Sequence, residues 1–489
     1  MACTTILVGK KASNDNSTMI ARNDDCPSGQ FNVKKIIHMT KEKQFKKYKS
    51  INSKFSIELP NDPLEYTLTP NVDPSSGVWP AAGINSENVC MTATETITTN
   101  PRVLGADPYP TTIVNGKENY TGLGEEDLVC LILPYIHSAR EGVIRLGNLL
   151  EKYGTYEPNG IAFSDKNEIW FVETIGGHNF IAKRVKDEQV VIMPNQLGID
   201  NFDFEDAYTN QKENICSKGL KEFVIKNNLN LNKENLEESF NPRLAFGSHD
   251  DSDHIYNTPR AWIMLKYLLP SKKFEGEDPD FTPEADNLPW AIIPERKICI
   301  EDVKYLLSNY YQGTKYNPYE TKGDLSYKNK YRPIGINRTS FLHILQIRNN
   351  VKKEIAALEW IAFASNPFNT LVPIYTNLNK VPTYLNNTTL DCNTNNFYWA
   401  SRLISALADA HFNKTSILIE RYQNKTLSKA HYLINKYDKI LTDNFSKEGV
   451  DKANNELVQM VQKETTDTLN KVLYVASLAM TNSFSRSDN

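Results

Sequence analysis

The sequence predicts an α+β fold with a layered core. Blocks of short, β-rich runs interleave with blocks of helical periodicity, which differs from the strand-by-strand alternation of βαβ proteins. The chain has 489 residues, of which 40% are apolar and 10% aromatic, enough to build a large core. No glycine-rich phosphate loop follows a predicted strand, so we expect no nucleotide cofactor.

The first predicted element is a hairpin within residues 3–25. Thr4–Val8 is a β-rich run, residues 10–17 form a polar turn, and residues 18–21 return toward the start. The returning strand ends in the polar segment 22–25, which the hairpin would bring close to residues 3–5. A second buried strand is predicted over residues 89–94.

The middle of the chain changes period twice. Apolar residues recur at helical spacing over 125–152, and the pattern then returns to β in four runs, at 160–164, 168–174, 179–185 and 189–193. Because the breaks between these runs are short, we expect them to be antiparallel neighbours.

The second half of the chain is predicted to be mainly helical. Helices are expected over 213–227, 259–269, 350–365 and 396–481, with 397–412 the most amphipathic stretch. Residues 271–292 are rich in proline and charge and are predicted to be a long surface excursion, with a lid as one possible role. We expect one domain over residues 3–489, with 396–481 as a helical part packed on it.

Charge and hydropathy exclude several protein classes. The 55 basic and 59 acidic residues give a net charge of −4 without a basic stripe, which is atypical of a nucleic-acid-binding protein. No apolar run approaches the roughly 18 residues of a membrane span, and the first residues lack the pattern of a signal peptide. We therefore expect a cytoplasmic protein without nucleic-acid or membrane partners.

The seven cysteines are odd in number, widely spaced and without a CxxC pair. This pattern argues against a disulfide framework and against a metal site. Cys3 is exceptional because of its position. A free thiol with a pKa near ~8.5 needs an activator, and an α-amino group with a pKa of about 7.7–8.0 can serve as its base.

That mechanism requires Cys3 to be the first residue of the mature chain. Removal of Met1 alone would leave Ala2 at the terminus, so the bond between Ala2 and Cys3 must also be cut. The alternative interpretation of Cys3 is a buried thiol in a first strand. Arg22 and Asp25 could hold its thiolate and orient the amine, or they could belong to an ordinary charged surface turn.

Several segments resemble one family in order and spread along almost the whole chain. They are residues 3–13, 21–25, 83–85, 93–96, 170–173 with 177–178, 193–197, 256–260, 373–377, 396–400 and 406–411. Together they resemble the bacterial cysteine dipeptidases of the dipeptidase A type. These belong to the N-terminal-nucleophile hydrolases and are similar to penicillin V acylase and bile salt hydrolase.

This resemblance implies an αββα sandwich, hydrolysis of dipeptides, and no metal or cofactor. It implies that Cys3 is the nucleophile and that its freed amine is the base. By the same resemblance, Arg22 and Asp25 position the cysteine, Asn195 donates to the oxyanion, and Arg260 reaches into the site.

One feature departs from the related acylases. Their second oxyanion donor is an asparagine shortly after the strand at 89–96, where this chain has Thr94-Glu95-Thr96. Asn85 lies nearby and could either donate to the oxyanion or shape a turn.

We therefore predict a cysteine dipeptidase that acts through a thioester on Cys3 and assembles as a homo-oligomer. Two alternatives stay open. One is an acylase of non-peptide amides such as penicillin V or a bile salt. The other is a non-catalytic interaction protein on the same fold, with Cys3 internal and inert.

Overall fold

The structure is a computed structural model that describes residues 3–232, 240–248 and 250–480. Met1 and Ala2, which we expect to be removed, lie outside the described residues, as does residue 481 of the predicted helical region. The strands of the described residues are, in chain order, β1 (Thr4–Val8), β2 (Thr18–Asp25), β3 (Ile37–Met39), β4 (Lys47–Lys49), β5 (Ser56–Glu58), β6 (Tyr66–Leu68), β7 (Ala82–Ile84), β8 (Cys90–Thr96), β9 (Thr111–Val114), β10 (Lys117–Tyr120), β11 (Asn159–Ser164), β12 (Ile169–Ile175), β13 (Asn179–Val185), β14 (Val190–Met193), β15 (Asn214–Cys216), β16 (Ala291–Ile292), β17 (Thr339–Ile347), β18 (Ala357–Phe363) and β19 (Val372–Tyr375).

The helices follow the same chain order and confirm the mixed helix and sheet content expected of an α+β protein. They are α1 (Pro101–Ala106), α2 (Leu128–Ile132), α3 (Ala139–Tyr153), α4 (Phe204–Tyr208), α5 (Leu220–Lys226), α6 (Pro242–Phe246), α7 (Asp253–Tyr256), α8 (Thr258–Leu268), α9 (Ile300–Leu307), α10 (Thr383–Asn386), α11 (Phe397–Ala410), α12 (Phe412–Asp443) and α13 (Lys447–Leu478).

A seven-stranded sheet contains the start of the chain. Its strand order is β16-β14-β1-β2-β17-β18-β19, and every neighbouring pair is antiparallel. The predicted hairpin is confirmed, with Thr5 of β1 opposite Arg22 of β2. Since β1 has partners on both sides and is buried along its length, it is fixed inside the molecule.

A six-stranded sheet in the order β15-β13-β12-β11-β8-β7 faces the first one. The two sheets are joined by buried polar contacts, among them Arg22 Nε to Thr92 Oγ1 at 2.9 Å. Helix α3 covers the outer face of the six-stranded sheet, while α8, α9 and α11 contact the seven-stranded sheet. Helices therefore lie outside the paired sheets on both sides.

The helical region predicted after residue 396 is confirmed over the described residues as α11, α12 and α13. Asn454 of α13 joins this part to the sheet. Its side chain accepts a hydrogen bond from Tyr375 N at 2.8 Å and donates to Tyr375 O at 2.9 Å, at the end of edge strand β19. One amide thus satisfies two backbone groups of a sheet edge.

The excursion predicted at 271–292 is tied to the body of the protein. Phe274 and Leu288 are buried, and Trp262 of α8 donates its indole N–H to Phe281 O at 3.0 Å. Strand β16 at its end pairs with β14. The segment therefore packs against the helix that carries Arg260.

One helix prediction was wrong, and a second holds only in part. Residues 350–365 contain a short 3-10 turn and then β18, which is buried on both faces, so its apolar run shows no alternation that would indicate a strand. The predicted helix at 213–227 begins with β15, and only α5 of that stretch is helical.

The expectation of four antiparallel neighbours after residue 160 holds for three strands. β11, β12 and β13 are consecutive, but β14 crosses to the other sheet and pairs with β1. Gly9 packs closely on the turn before β14. A side chain would not fit there, because a Cβ at Gly9 would lie 2.4 Å from Asp187 O. This crossing brings the residues that follow β14 to the start of β1.

None of the helices in the described part of the chain is long and apolar enough to cross a membrane.

We expect Asn454→Ala to lower the free energy of unfolding by about 2–4 kcal/mol, since it leaves two buried backbone groups without partners. Urea denaturation followed by circular dichroism measures this change. The matched control is Asn455→Ala, an exposed neighbour whose side chain contacts only its own helix, for which we expect less than about 0.5 kcal/mol. Equal effects of the two variants would contradict a structural role for Asn454.

Candidate active site

Cys3 immediately precedes β1, whose neighbours in the sheet are β14 and β2. Continuing the β1–β14 register, in which Thr5 faces Met193, places Cys3 opposite Asn195. Continuing the β1–β2 register, in which Thr4 faces Asn23, places Cys3 opposite Asp24. The Cys3 side chain is fully buried. Three distant segments therefore meet at the first described residue.

Arg22 holds the thiol of Cys3. Its Nη1 donates to Cys3 Sγ at 3.0 Å and to Thr94 O at 2.8 Å. Nη2 donates to Ala81 O and Ala93 O, both at 3.0 Å, and Nε donates to Thr92 Oγ1. A guanidinium has five N–H donors, and here all five are used. Arg22 is thus fixed by the six-stranded sheet and points one N–H at the sulfur.

The thiol is held in its neutral form. Burial raises the pKa of Cys3 well above its ordinary value, and the buried carboxyls Glu95, Glu125 and Asp24 raise it further, while the Arg22 charge lowers it. The pairing with Arg22 is therefore insufficient to hold a thiolate. A nucleophilic role requires a base that takes the thiol proton as the reaction begins.

The two aspartates after Arg22 have different partners. Asp24 lies 3.6 Å from Arg22 Nη1 and 3.0 Å from Lys34 Nζ. Asp25, the residue expected to act on Cys3, instead accepts hydrogen bonds from Arg332 at 2.6 Å and Thr339 at 2.5 Å. The structure therefore places Asp24, and not Asp25, beside the Arg22 guanidinium.

Asn195 is brought to the site by the crossing of β14. Its Nδ2 donates to Thr96 O at 2.8 Å, and its Oδ1 accepts from Arg260 Nη2 at 2.8 Å. Its backbone carbonyl accepts from Asn257 Nδ2 at 3.1 Å. The amide is thus oriented, with its nitrogen toward the end of β8 and its oxygen toward Arg260.

Arg260 stands at the start of α8 and is fully buried. Its Nη1 contacts Cys3 O and donates to Thr4 Oγ1 at 2.7 Å. The remaining N–H groups donate to Asn195, Asn257 and Tyr256 O. All five donors are occupied by protein groups, so the geometry favours a role in positioning Cys3 and Asn195 over binding a substrate carboxylate. Burial, with the neighbouring Arg332 charge, lowers the pKa of Arg260 to about 9.

Two buried glutamates that the sequence analysis did not select lie beside Cys3. The extra residue in β8 between Glu95 and Ala93, opposite Gly160 and Ile161 of β11, is a bulge. A bulge reverses the alternation of side chains, so Glu95 faces the other sheet and accepts from Thr5 Oγ1 at 2.7 Å. Glu125 lies 3.9 Å from Arg22 Nη1 and accepts from Thr94 N at 3.4 Å.

Only a weak sequence signal points to these glutamates. Glu125 belongs to the acidic run Glu125-Glu126-Asp127, which is usually a solvated turn but is buried here. Glu95 occupies a strand otherwise made of small and apolar residues, where an ionisable side chain is unusual. Neither signal indicates a position beside Cys3, because that depends on the pairing of the two sheets.

Asn85 shapes a turn. Its Nδ2 donates to Leu133 O and Ile136 O, and its Oδ1 accepts from Glu87 N and Val89 N. Both ends of the amide are thus used by backbone groups of its own turn and of residues 133–136. None of these contacts involves Cys3.

Comparison with known proteins adds a consistent set of relatives. A dipeptidase of Bifidobacterium longum is 48% identical over 533 residues, covering 100% of both chains. A probable dipeptidase A of Streptococcus pyogenes is 49% identical over 490 residues, again covering 100% of both chains. Dipeptidase A of Lactobacillus helveticus is 44% identical over 485 residues, covering 96% of each chain. The family model for peptidase family C69 matches residues 2–425. Extensive identity and the family match lead to one conclusion: the chain belongs to peptidase family C69.

Proposed function

We propose that this protein hydrolyses dipeptides, with Cys3 as the nucleophile and its own α-amino group as the base. The observation that carries this proposal is the contact between Arg22 Nη1 and Cys3 Sγ at 3.0 Å, at the third residue of the chain. The names of the relatives, all dipeptidases or probable dipeptidases, support the substrate class.

We further assign the paired sheets with helices outside them to the αββα sandwich of the N-terminal-nucleophile hydrolases. The position of Cys3 at the start of a central strand supports this assignment. One apolar core runs from Ile6 to Val461, which supports a single domain that includes the C-terminal helices. A cytoplasmic location fits cysteines that are all free in the described residues. Homo-oligomer formation stays a prediction, which sedimentation of the purified protein would test.

The reaction begins once the peptide bond before Cys3 has been cut. The freed amine accepts the thiol proton, and the sulfur attacks the scissile carbonyl carbon to form a tetrahedral oxyanion. The C–N bond then breaks as the amine returns the proton to the departing amino acid. Water attacks the resulting thioester by the same route, and the C–S bond breaks to release the second amino acid.

Asn195 is proposed as the side-chain donor to the oxyanion. The continued register of β1 and β14 places Asn195 opposite Cys3, and Arg260 fixes the amide by binding its oxygen. A fixed neutral donor aimed at a developing oxyanion stabilises the transition state by about 3–4 kcal/mol. Arg260 acts here as a positioning residue.

The acylase alternative fits the surroundings of Cys3 less well. An acylase for penicillin V or a bile salt needs a bulky apolar acyl pocket beside the nucleophile. Here the groups nearest the sulfur include Arg22, Asp24 and two buried glutamates. Charged groups at this place suit a small substrate with charged termini.

The first test compares hydrolysis of dipeptides, tripeptides, penicillin V and a conjugated bile salt by the wild type and by Cys3→Ala. We expect dipeptides to be the substrates and Cys3→Ala to be inactive, because it lacks the nucleophile. Cys26→Ala is the matched control, a buried cysteine outside the proposed machinery that should retain activity. Activity that survives in Cys3→Ala would refute the nucleophile assignment.

Maturation is tested by the intact mass of the purified protein. We expect the mass of a chain that begins at Cys3 in every active preparation, because the base is the amine of Cys3. We expect Cys3→Ser to mature slowly or not at all, since a hydroxyl ionises less readily than a thiol. An active preparation that retains Ala2 would contradict the proposed base.

Arg22→Gln is expected to shift the pH profile of Cys3 alkylation by iodoacetamide to higher pH. The positive charge of Arg22 lowers the thiol pKa, so its loss raises that pKa, and each unit lowers the thiolate fraction about tenfold. Arg348→Gln, which removes another buried arginine that pairs with Asp438, should leave the profile unchanged. An unshifted profile in Arg22→Gln would contradict electrostatic control by Arg22.

Asn195→Ala is expected to lower kcat for a dipeptide by about 10²- to 10³-fold with little change in KM, as for other oxyanion donors. The adjacent Gln196→Ala serves as the control and should stay close to the wild type. A large rise in KM with unchanged kcat would instead assign Asn195 to substrate binding.

A further inference from the structure

Two buried carboxyl groups, of Glu95 and Glu125, lie near the Cys3 thiol. Glu125 Oε1 is 3.9 Å from Arg22 Nη1, which is itself 3.0 Å from Cys3 Sγ, so the carboxylate lies no more than about 7 Å from the sulfur. Glu95 binds Thr5, whose side chain projects from the same face of β1 as that of Cys3. Both glutamates are fully or almost fully buried.

Glu95 and Glu125 differ from Asp24 and Asp25 in the distance to the nearest cationic side chain. Asp24 has Lys34 at 3.0 Å, and Asp25 has Arg332 at 2.6 Å. Among the described residues, no cationic group lies within ion-pair distance of Glu95, and Glu125 has only Arg22 at 3.9 Å. Oε1 of Glu95 accepts no hydrogen bond from any described residue, although it is buried.

An unbalanced buried carboxylate is energetically unfavourable unless a cation joins it. Burial raises the pKa of Glu95 to about 7 and that of Glu125 to about 8. A cationic ligand group that contacts these carboxyls would favour their ionised forms and satisfy the open acceptor Glu95 Oε1. The geometry thus favours a small ammonium group as the missing partner.

A dipeptide carries such a group at the required distance. Its α-ammonium nitrogen is two bonds from the scissile carbonyl carbon, which approaches the nucleophile to about 3–3.5 Å. An ammonium–carboxylate hydrogen bond adds about 2.8 Å. A carboxylate within about 7 Å of Cys3 Sγ can therefore bind the α-ammonium group while the carbonyl lies at the sulfur.

We propose that Glu95 and Glu125 form the subsite that binds the free α-ammonium group of the substrate. This inference rests on the proposed dipeptidase function and sharpens it, because it limits the substrates to those with an unblocked N-terminus. Substrates whose amine is acylated or missing would leave both carboxylates unpaired on binding.

The experiment compares Ala-Ala with propionyl-Ala, which has the same shape but lacks the amine. We expect the wild type to prefer Ala-Ala in kcat/KM by about 10²-fold or more, because only the ammonium group can form an ion pair with the two carboxylates. Glu95→Gln and Glu125→Gln should each lower kcat/KM for Ala-Ala by about tenfold or more relative to kcat/KM for propionyl-Ala. Glu359→Gln is the matched control, a buried glutamate between the sheets that binds Thr67.

Intact mass establishes that each variant begins at Cys3 before its rates are compared. Where a Gln variant stays unprocessed, Glu95→Asp and Glu125→Asp are measured instead, because they retain the charge on a shorter side chain. A selective loss on Ala-Ala again supports the proposal, and an equal loss on both substrates contradicts it.

Two outcomes would overturn the inference. Equal wild-type rates on the two substrates would show that the amine is not recognised, whatever the variants do. Equal losses on both substrates, with a shifted pH profile of kcat, would assign the glutamates to the α-amine of Cys3. A wild type that cleaves no dipeptide would refute the proposed function itself, which is a distinguishable result.

Discussion

The contact between Arg22 and Cys3 depends on the pairing of the two sheets and in turn organises the site. Arg22 belongs to the seven-stranded sheet, yet four of its five N–H donors bind groups next to or within β8 of the facing sheet or just before β7. The fifth binds Cys3 Sγ. A buried guanidinium must have all its donors satisfied, so the separation of the sheets and the place of the sulfur are set together.

A second arginine connects the remaining parts. Arg260 touches the backbone of Cys3, the amide of Asn195 and the side chain of Asn257, which come from three different segments. Because every donor is used, a shift of any one partner would unbalance the others. The two arginines therefore hold their partners in place: Arg22 holds the sulfur, and Arg260 holds the groups opposite it. The proposed acyl transfer would need such preorganisation.

The charges around Cys3 are distributed unevenly. Aspartates are matched by nearby cations, whereas among the described residues Glu95 has none within ion-pair distance and Glu125 has only Arg22 at 3.9 Å. Burial makes this imbalance unfavourable in the unbound protein, and a ligand cation would relieve it. The same carboxyls also raise the pKa of the Cys3 thiol. Substrate recognition and control of the nucleophile would thus share one electrostatic environment.

Several residues around Cys3 could be selected from the sequence, because they belong to segments with a clear strand pattern or a family resemblance. The strand pattern of Thr4–Val8 and the return to Arg22 predicted their pairing, and the family resemblance supplied Asn195 and Arg260. Sequence patterns failed where both faces of an element are buried, as in β18, since periodicity then carries no information about strand or helix. They also did not indicate the partners of Asp25, because the partners of a buried charge come from distant segments.

The sequence by itself determined the α+β class, the hairpin that places Arg22 near Cys3, and the chemistry a cysteine near the chain start can perform. Only the tertiary structure decided that β14 crosses to β1, that a bulge turns Glu95 toward Thr5, and that Glu125 reaches Arg22. Local patterns follow from the residues of one segment. Which segments meet depends instead on how two sheets bury their faces against each other, and no single segment encodes that.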